Sequence, residues 1–264
     1  MSETGPADPL SDAPSDPPSN RPTYRIVRPF RVRFEESTAG DTIRAAIYLA
    51  WTADVAWQHS TLFGFGRDWY QARGLFWLVR AVQLDVFAPS LTYDDRFVST
   101  RVSGWRRIAV RRESEVRSGS GELVARLEFD WVMTNLRGVP TRVPDEFYRF
   151  ADDSAATFDM RRVALPEAPP DAVERRFHVH RRDLDPMGHV NNSVYLDYFE
   201  EALEAAGQGQ RLNATPRRYV LEFASSAARD ETLVDRAWPL GGGWAYRLTG
   251  EDGREILRAQ LDLL

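Results

Sequence analysis

The sequence contains no cysteine and no lysine, and the first absence restricts its chemistry. Without cysteine there are no disulfides, no thiolate metal ligands and no cysteine nucleophile. All 34 basic residues are arginine, a bias typical of a GC-rich or salt-adapted source. The formal net charge of −5 argues against a general nucleic-acid-binding protein.

Long apolar runs are also missing: no stretch approaches the roughly 20 apolar residues of a membrane-spanning helix, so we expect no membrane span. Residues 1–24 are rich in Pro, Ser and Asp, which predicts a disordered tail. Because this tail lacks the features of a secretory signal or a transit peptide, we expect a cytoplasmic protein. The apolar fraction of 43% is enough for one large domain or two small ones.

The rest of the chain repeats itself. When residue 32 is placed over residue 179, an offset of 147, similar apolar residues coincide: Val32 with Val179, Ile43 with Val190, Ile47 with Val194, Tyr48 with Tyr195 and Leu49 with Leu196. Further on the offset shrinks, and the matches are Leu84-Asp85 with Leu221-Glu222, Gly104-Trp105 with Gly243-Trp244, Gly121 with Gly253, Arg126 with Arg258 and Asp130 with Asp262. This collinear series indicates an internal duplication.

Each half is predicted to contain a strand, a helix and a run of further strands. Apolar residues at helical spacing predict helices over 45–62 and 192–206. Alternation and turn signals predict strands over 77–87, 96–102, 105–116 and 123–135, and over 177–182, 218–224, 232–238, 243–249 and 255–263.

One helix followed by antiparallel strands implies an α+β fold in which the sheet wraps around a central helix. A single copy would leave a sheet edge open, whereas two copies can pair those edges into one continuous sheet. The proline-containing segment 144–172 is predicted to be the linker. We therefore predict two tandem domains, residues 25–143 and 173–264, that pair within the chain.

The most informative stretch is Asp183–Leu196, where a carboxylate, an imidazole and two amides stand just before the second helix. Polar groups this dense are costly to bury unless they have a use. Three strings carry a resemblance: Arg182-Asp183-Leu184-Asp185, Gly188-His189-Val190-Asn191-Asn192 and Tyr195-Leu196. They resemble the hotdog thioesterase superfamily, as does Trp105-Arg106-Arg107 in the first half.

The two-copy layout resembles the acyl-ACP thioesterases of plants and bacteria, which carry two hotdog domains in one chain. The resemblance implies that Asp185 is the catalytic carboxylate, with His189 four residues on. In the plant enzymes an Asn stands two residues after the Asp, where this chain has Met187, and a downstream Glu-Cys pair falls here on Ser226-Ala227. Gly188 before His189 is closer to the bacterial acyl-CoA thioesterase pattern.

Thioester hydrolysis needs a nucleophile, a proton route and a donor for the oxyanion. Asp185 could attack directly or activate a water, and the sequence leaves both open. Backbone N–H groups at the start of the second helix, near Val190 and Asn191, suit an oxyanion, and His189 would orient or donate. Asp183 is expected in a turn or facing solvent. Asn191 or Asn192 also suits the helix N-cap.

We predict Asp185, His189 and Asn191 as catalytic residues, and Val190, Asn192, Tyr195 and Trp77 as substrate-binding residues, with core packing as the alternative for Tyr195 and Trp77. We expect no metal and no cofactor.

The first half offers an internal control. At the offset of 147, Asp185 falls on Thr38, His189 on Thr42 and Asn191-Asn192 on Arg44-Ala45. The apolar positions persist while the Asp, His and Asn are absent, so we expect one active site per chain, in the second half. The first half is expected to help form the acyl tunnel, which its aromatic residues would line or close: Trp69, Phe76 and Trp77.

The predicted function is hydrolysis of acyl thioesters, with fatty acyl-ACP as the substrate and free fatty acid as the product. An acyl-CoA thioesterase, a hotdog hydratase or dehydratase, and a non-catalytic acyl-thioester-binding protein remain alternatives. The partner is acyl carrier protein or coenzyme A, either of which favours an arginine patch. The candidate pairs are Arg106-Arg107, Arg111-Arg112, Arg175-Arg176, Arg181-Arg182 and Arg217-Arg218. A homodimer of such chains is left open.

Overall fold

The computed structural model describes residues 24–150 and 155–264. Almost all of the predicted disordered tail therefore lies outside the described residues. Within the described part, no helix is long and apolar enough to cross a membrane.

The described chain forms two halves with the same order of elements. The first half contains β1 (Arg25–Arg31), α1 (Ala45–Leu62), α2 (Arg67–Arg73), β2 (Leu75–Val86), β3 (Asp95–Trp105), β4 (Ala109–Ser118) and β5 (Leu123–Asn135). The second half contains β6 (Val173–His178), α3 (Val194–Ala205), α4 (Gly209–Leu212), β7 (Arg217–Phe223), β8 (Thr232–Leu240), β9 (Gly243–Gly250) and β10 (Glu255–Leu263).

All ten of these strands join one antiparallel sheet in the order β1-β3-β4-β5-β2-β7-β10-β9-β8-β6. The halves meet where β2 pairs with β7, and Gln83 lies opposite Val220 at the centre of that pairing. The residue pairs on the two sides of this point are equivalent: Asp85 pairs with Arg218 on one side, and Ala81 pairs with Glu222 on the other. The pairing thus relates the halves by a pseudo-two-fold axis and covers the edge that each would otherwise expose.

The repeated apolar positions occupy equivalent places in one continuous core. Val32 and Val179 are 0% and 3% exposed, and Tyr48 and Tyr195 are 0% and 1% exposed. Leu49 and Leu196 are buried in the same way, and all six side chains belong to one hydrophobic cluster. The predicted duplication of core positions is therefore confirmed, because each half buries its central helix with the same residues.

Some local predictions are wrong. Trp105 ends β3 rather than starting the next strand, because a register shift between Val102 and Gly104 lengthens β3. Gly104-Trp105 therefore has no structural match in Gly243-Trp244, which starts β9. The strand predicted to end at Arg182 ends at His178, because Arg181–Asp183 forms a short 3-10 turn.

Candidate active site

The polar stretch forms a tight loop between the 3-10 turn and α3. The backbone N–H of Asp185 donates to the carbonyl of His189 at 2.8 Å, and that of Gly188 donates to the carbonyl of Asp185 at 3.0 Å. Gly188 has a φ of +81°, a conformation that glycine adopts without steric cost. The loop is thus folded by its own backbone.

The Asp185 carboxylate is held at one oxygen. Its Oδ1 accepts the backbone N–H of Met187 at 2.8 Å and that of His189 at 3.3 Å. Within the described residues Oδ2 has no hydrogen-bond partner, and the side chain is half-buried. Met187 therefore positions Asp185 through its backbone, while its side chain is 61% exposed. The free oxygen is available to a reactant.

The side chains of His189 and Asn191 differ in whether they have hydrogen-bond partners. The His189 backbone pairs with Ala228, whereas its exposed imidazole has no hydrogen-bond partner within the described residues. The Asn191 Oδ1 accepts the backbone N–H and the hydroxyl of Ser193, both at 3.0 Å. Asn191 thus forms a local turn with Ser193, which is the N-cap residue of α3, so the cap expected at Asn191 or Asn192 lies at Ser193.

The backbone donors at this helix start are mostly occupied. Val190 N–H donates to the carbonyl of Ala227 at 3.0 Å, and Asn191 N–H donates to that of Asp183 at 2.9 Å. The Asn192 N–H has no acceptor within the described part of the chain. The N–H groups of Val190 and Asn191, near which the oxyanion donor is predicted, are thus already bonded. The neighbouring N–H that can still donate is that of Asn192.

Three of the predicted substrate-binding residues have packing contacts. Val190 is 3% exposed and belongs to the core. Tyr195 is buried, its hydroxyl accepts the N–H of Ala227 at 2.8 Å, and burial raises its pKa to about 12. Trp77 lies on β2, far along the chain from the loop, and donates its indole N–H to the Tyr70 hydroxyl at 2.9 Å.

Asp183 lies in the 3-10 turn, one of the two places expected for it, and its side chain is buried, being 7% exposed. Its Oδ2 accepts the Tyr198 hydroxyl at 2.8 Å and the His180 N–H at 2.8 Å. The first half repeats this arrangement with Glu36, which accepts the Arg33 N–H at 2.9 Å and contacts the Trp51 indole N–H at 3.4 Å. Asp183 therefore ties the turn to its helix.

Ser226 and Ala227 lie against the loop, as their place in the resemblance suggests. Ala227 bonds through its backbone to Val190 and Tyr195. Ser226 accepts a hydrogen bond from Arg254 through its carbonyl at 2.9 Å. Neither side chain supplies a carboxylate or a thiol.

Glu200 on α3 was missed by sequence reasoning. It lines a cavity of about 150 Å³ against the first-half loop, together with Thr38, Thr42, Arg44, Asn213 and Arg217. Its carboxylate accepts the Tyr219 hydroxyl at 2.6 Å, and burial raises its pKa to about 7. The signal was present in the repeat, since residue 200 is Glu where its counterpart, residue 53, is Ala.

Some arginines of the candidate pairs bind buried carboxylates, and others are exposed. Arg111, Arg175 and Arg218 form ion pairs with the buried carboxylates of Asp130, Asp235 and Asp85, respectively. Arg181 and Arg182 are exposed directly before the candidate catalytic loop. Arg229, exposed on the turn after Ala228, lies on the segment that pairs with the same loop.

Comparisons with known proteins agree with this architecture. Residues 24–150 match the acyl-ACP thioesterase N-terminal domain, and residues 167–236 match the acyl-ACP thioesterase C-terminal domain. The oleoyl-acyl carrier protein thioesterase 2, chloroplastic, of Arabidopsis thaliana is 23% identical over 197 residues, which cover 67% of this chain and 52% of that protein. This chain thus spans about half the length of the curated relatives it matches.

Solved structures show the same fold over nearly the whole chain. An acyl-ACP thioesterase from Bacteroides thetaiotaomicron superposes with a TM-score of 0.76 and 14% identity, covering 90% of this chain and 97% of that one. The 12:0-ACP thioesterase from Umbellularia californica gives a TM-score of 0.75 and 21% identity, covering 91% and 97%. The predicted double-hotdog fold is confirmed. Since the two domain matches fall in order on the two halves, this chain belongs to the acyl-ACP thioesterase family.

Proposed function

We propose that the protein hydrolyses fatty acyl thioesters carried on acyl carrier protein and releases free fatty acids. The observation that carries this proposal is that one loop holds both the Asp185 carboxylate oxygen and the Asn192 N–H just before α3, and neither has a hydrogen-bond partner in the described structure. Family membership supplies the substrate class, because the matched domains are those of acyl-ACP thioesterases.

The proposed chemistry assigns one role to each group. The free Oδ2 of Asp185 takes a proton from water as the hydroxyl adds to the thioester carbonyl, and collapse of the adduct expels the thiolate; alternatively, Oδ2 adds to that carbonyl itself, expels the thiolate and forms a mixed anhydride that water then hydrolyses to the free acid. The Asn192 N–H, at the positive end of the α3 dipole, donates to the oxyanion. The exposed imidazole of His189 donates a proton to the departing thiolate. Asn191 holds the helix start in place.

The charge around the loop suits an acidic carrier, and the family matches favour acyl carrier protein over coenzyme A. Arg181, Arg182 and Arg229 are exposed there; Arg182 lies 3.8 Å from Asp183, and Arg229 lies 3.4 Å from Asp230. The corresponding first-half positions hold Phe34, Glu35 and Thr92. Because the chain as a whole is acidic, this local positive charge favours an acidic carrier.

The acyl chain is proposed to enter the first half. There a second hydrophobic cluster contains Phe65, Tyr70, Met133 and Phe147, and Trp77 packs against it. Trp77 meets Phe147 edge to face with centroids 5.6 Å apart. Such a cluster would stop the chain and set its length. The cytoplasmic location of this protein stays a prediction, and the curated plant relatives are named chloroplastic.

The test is a thiol-release assay across acyl-ACP and acyl-CoA substrates of different chain lengths, with Asp185→Ala as the control. We expect release from acyl-ACP at a higher kcat/KM than from acyl-CoA, and loss of release in the variant. Faster release from acyl-CoA would contradict the carrier assignment. Saturable binding without thiol release at any length would show a binding protein, and turnover of an enoyl thioester would show a hydratase.

A further inference from the structure

A cavity of about 150 Å³ lies beside the first-half loop, residues 38–44, and its lining includes none of the residues to which hydrolysis is assigned. The rest of the lining comes from α3 and from the segment 212–217, which leads into β7. Cavities of this size hold an organic molecule of about six non-hydrogen atoms. Thr38, Glu204 and Asn213 of the lining are exposed, so a ligand can enter from solvent.

Arg217 brings a buried positive charge to this cavity. The residue is 6% exposed, its Nε donates to the Tyr219 hydroxyl at 3.2 Å, and its Nη1 donates to the Ala214 carbonyl at 2.9 Å. Among residues 24–150 and 155–264, Nη2 has no hydrogen-bond partner and no carboxylate forms an ion pair with Arg217. Nη2 is not sealed from solvent either, so it can be reached through the cavity. Since a buried charge without a counter-charge is costly, this guanidinium favours a ligand that brings one.

Asn213 places a second donor on the same segment. Its Oδ1 accepts the Thr42 hydroxyl at 3.1 Å, and the Thr38 hydroxyl lies 3.0 Å from that of Thr42. The Nδ2 group of Asn213 has no acceptor in the part of the chain that the structure describes. Two N–H donors, one of them charged, therefore stand four residues apart, an arrangement that suits the two oxygens of a carboxylate.

Two glutamates of α3 bring negative charge to the same cavity. Glu200 accepts the Tyr219 hydroxyl at 2.6 Å, the hydroxyl to which Arg217 also donates. Glu204 is exposed at the lining and forms no ion pair within the described chain. Both carboxylates can therefore accept from an ammonium group.

The mixture of charges selects the class of ligand. Arg44 is already paired with Asp197 at 2.9 Å, which leaves the guanidinium of Arg217 and the carboxylates of Glu200 and Glu204. A simple anion would contact Arg217 but lie beside two carboxylates, and a simple cation would lie beside a buried guanidinium. A ligand that carries both charges has a favourable partner for each of them.

We propose that this cavity is a binding site for a small zwitterion, an α-amino acid of about the size of alanine. Its carboxylate accepts from Arg217 Nη2 and Asn213 Nδ2, and its ammonium group donates to Glu200 and Glu204. The inference goes beyond thioester hydrolysis and does not rest on it, since the site is defined by binding alone.

The test is a calorimetric titration of the full chain with three probes of related skeleton: L-alanine, propionate and ethylamine. At pH 8 Glu200 is mostly ionised, because burial raises its pKa only to about 7. We expect saturable binding of L-alanine, and binding of propionate and ethylamine that is ~10-fold weaker or more, since each leaves a charge of the site unpaired. Binding of propionate or ethylamine as tight as that of L-alanine would overturn the zwitterion assignment. No binding of any probe would overturn the site.

Variants test whether the ligand lies in this cavity. Arg217→Gln should weaken binding of L-alanine ~10-fold, and Glu204→Gln, at an exposed position, about 3-fold. The matched control is Glu201→Gln, the same change at an exposed position of α3 outside the cavity lining, which should leave the affinity unchanged. If Arg217→Gln fails to fold, Asn213→Ala gives the second reading, again as a loss of affinity. Wild-type affinity in both Glu204→Gln and Asn213→Ala, or an equal loss in Glu201→Gln, would overturn the assignment to this cavity.

Discussion

The two halves of this protein share a loop but not its chemistry. In one loop Asp185 accepts the backbone N–H two residues on at 2.8 Å, and in the other the Thr38 hydroxyl accepts the N–H of Gly40 at 3.2 Å. A hydroxyl therefore suffices to fold the turn. The comparison teaches that the charge of Asp185, and the oxygen left without a partner, are not needed for folding.

The second difference lies in what each loop faces. Glu200 and Glu204 of α3 line the cavity beside the first-half loop, and Asp197 pairs with Arg44 there, whereas the α1 residues at the equivalent positions are Ala50, Ala53 and Trp57. The half that lacks the catalytic carboxylate thus also has acidic side chains beside its loop. Both changes favour a single working site per chain.

The largest effect is expected for Asp185→Thr, which gives the second-half loop the residue that the first-half loop has at the equivalent position, Thr38. We expect hydrolysis to fall about 1,000-fold, because the general base or nucleophile is gone. The melting temperature should stay close to that of wild type, since a hydroxyl can accept the same N–H. Thiol release and thermal unfolding check both parts. Activity near the wild-type level would refute the role of Asp185, and Thr38→Ala serves as the control with normal turnover.

His189→Thr likewise gives the second-half loop the residue that the first-half loop has at the equivalent position, Thr42. Loss of a proton donor should reduce kcat by about 100-fold, while stability changes little because the imidazole is exposed without a partner in the described structure. Steady-state kinetics and a pH profile measure this. An unchanged kcat would leave His189 as a loop residue only.

The buried acids of the two equivalent turns, Asp183 and Glu36, should contribute equally to the free energy of unfolding. Asp183→Ala leaves the half-buried Tyr198 hydroxyl without its acceptor, and Glu36→Ala does the same to the buried Trp51 indole N–H. We expect each to lower the free energy of unfolding by about 2 kcal/mol. Urea denaturation measures the loss. A loss at Asp183 alone would show that the turns are not equivalent.

Glu200 gives the smallest predicted effect, which depends on pH. Burial raises its pKa in the folded state from 4.5 to about 7. The folded state therefore holds the proton more tightly, so this contribution to stability is fully present below pH 4.5 and is lost as pH rises through 7. Facing groups are Tyr219, Arg217 and Asp197, and burial raises the pKa of Asp197 as well.

Glu200→Gln should remove this pH dependence. Between pH 5 and pH 8 the wild type should lose up to ~3 kcal/mol of unfolding free energy relative to the variant, an upper bound for a partly accessible carboxyl. Denaturation curves at both pH values measure the difference. Parallel pH profiles for the two proteins would show that Glu200 does not titrate in this range.

Much of the fold could be predicted because core positions repeat. Tyr48 and Tyr195 are buried alike, and the helix predicted over 45–62 is α1 as observed. The ends of β3 and β6 could not be predicted, because a register shift and a 3-10 turn set them. The register shift depends on pairing with β4 and leaves no pattern in the local sequence, whereas the 3-10 turn is closed by local hydrogen bonds such as that from Asp183 N–H to the His180 carbonyl.

The sequence by itself determined the duplication, the pairing of two sheets and the loop that carries Asp185, since periodicity and residue type are local properties. Only the tertiary structure decided which backbone donor is open and which helix faces which loop. The N–H groups of Val190 and Asn191 are hydrogen-bonded, and Glu200 lines a cavity with Thr38 and Arg44 of the first half. Such contacts form only when the two halves pack together, so no local sequence pattern predicts them.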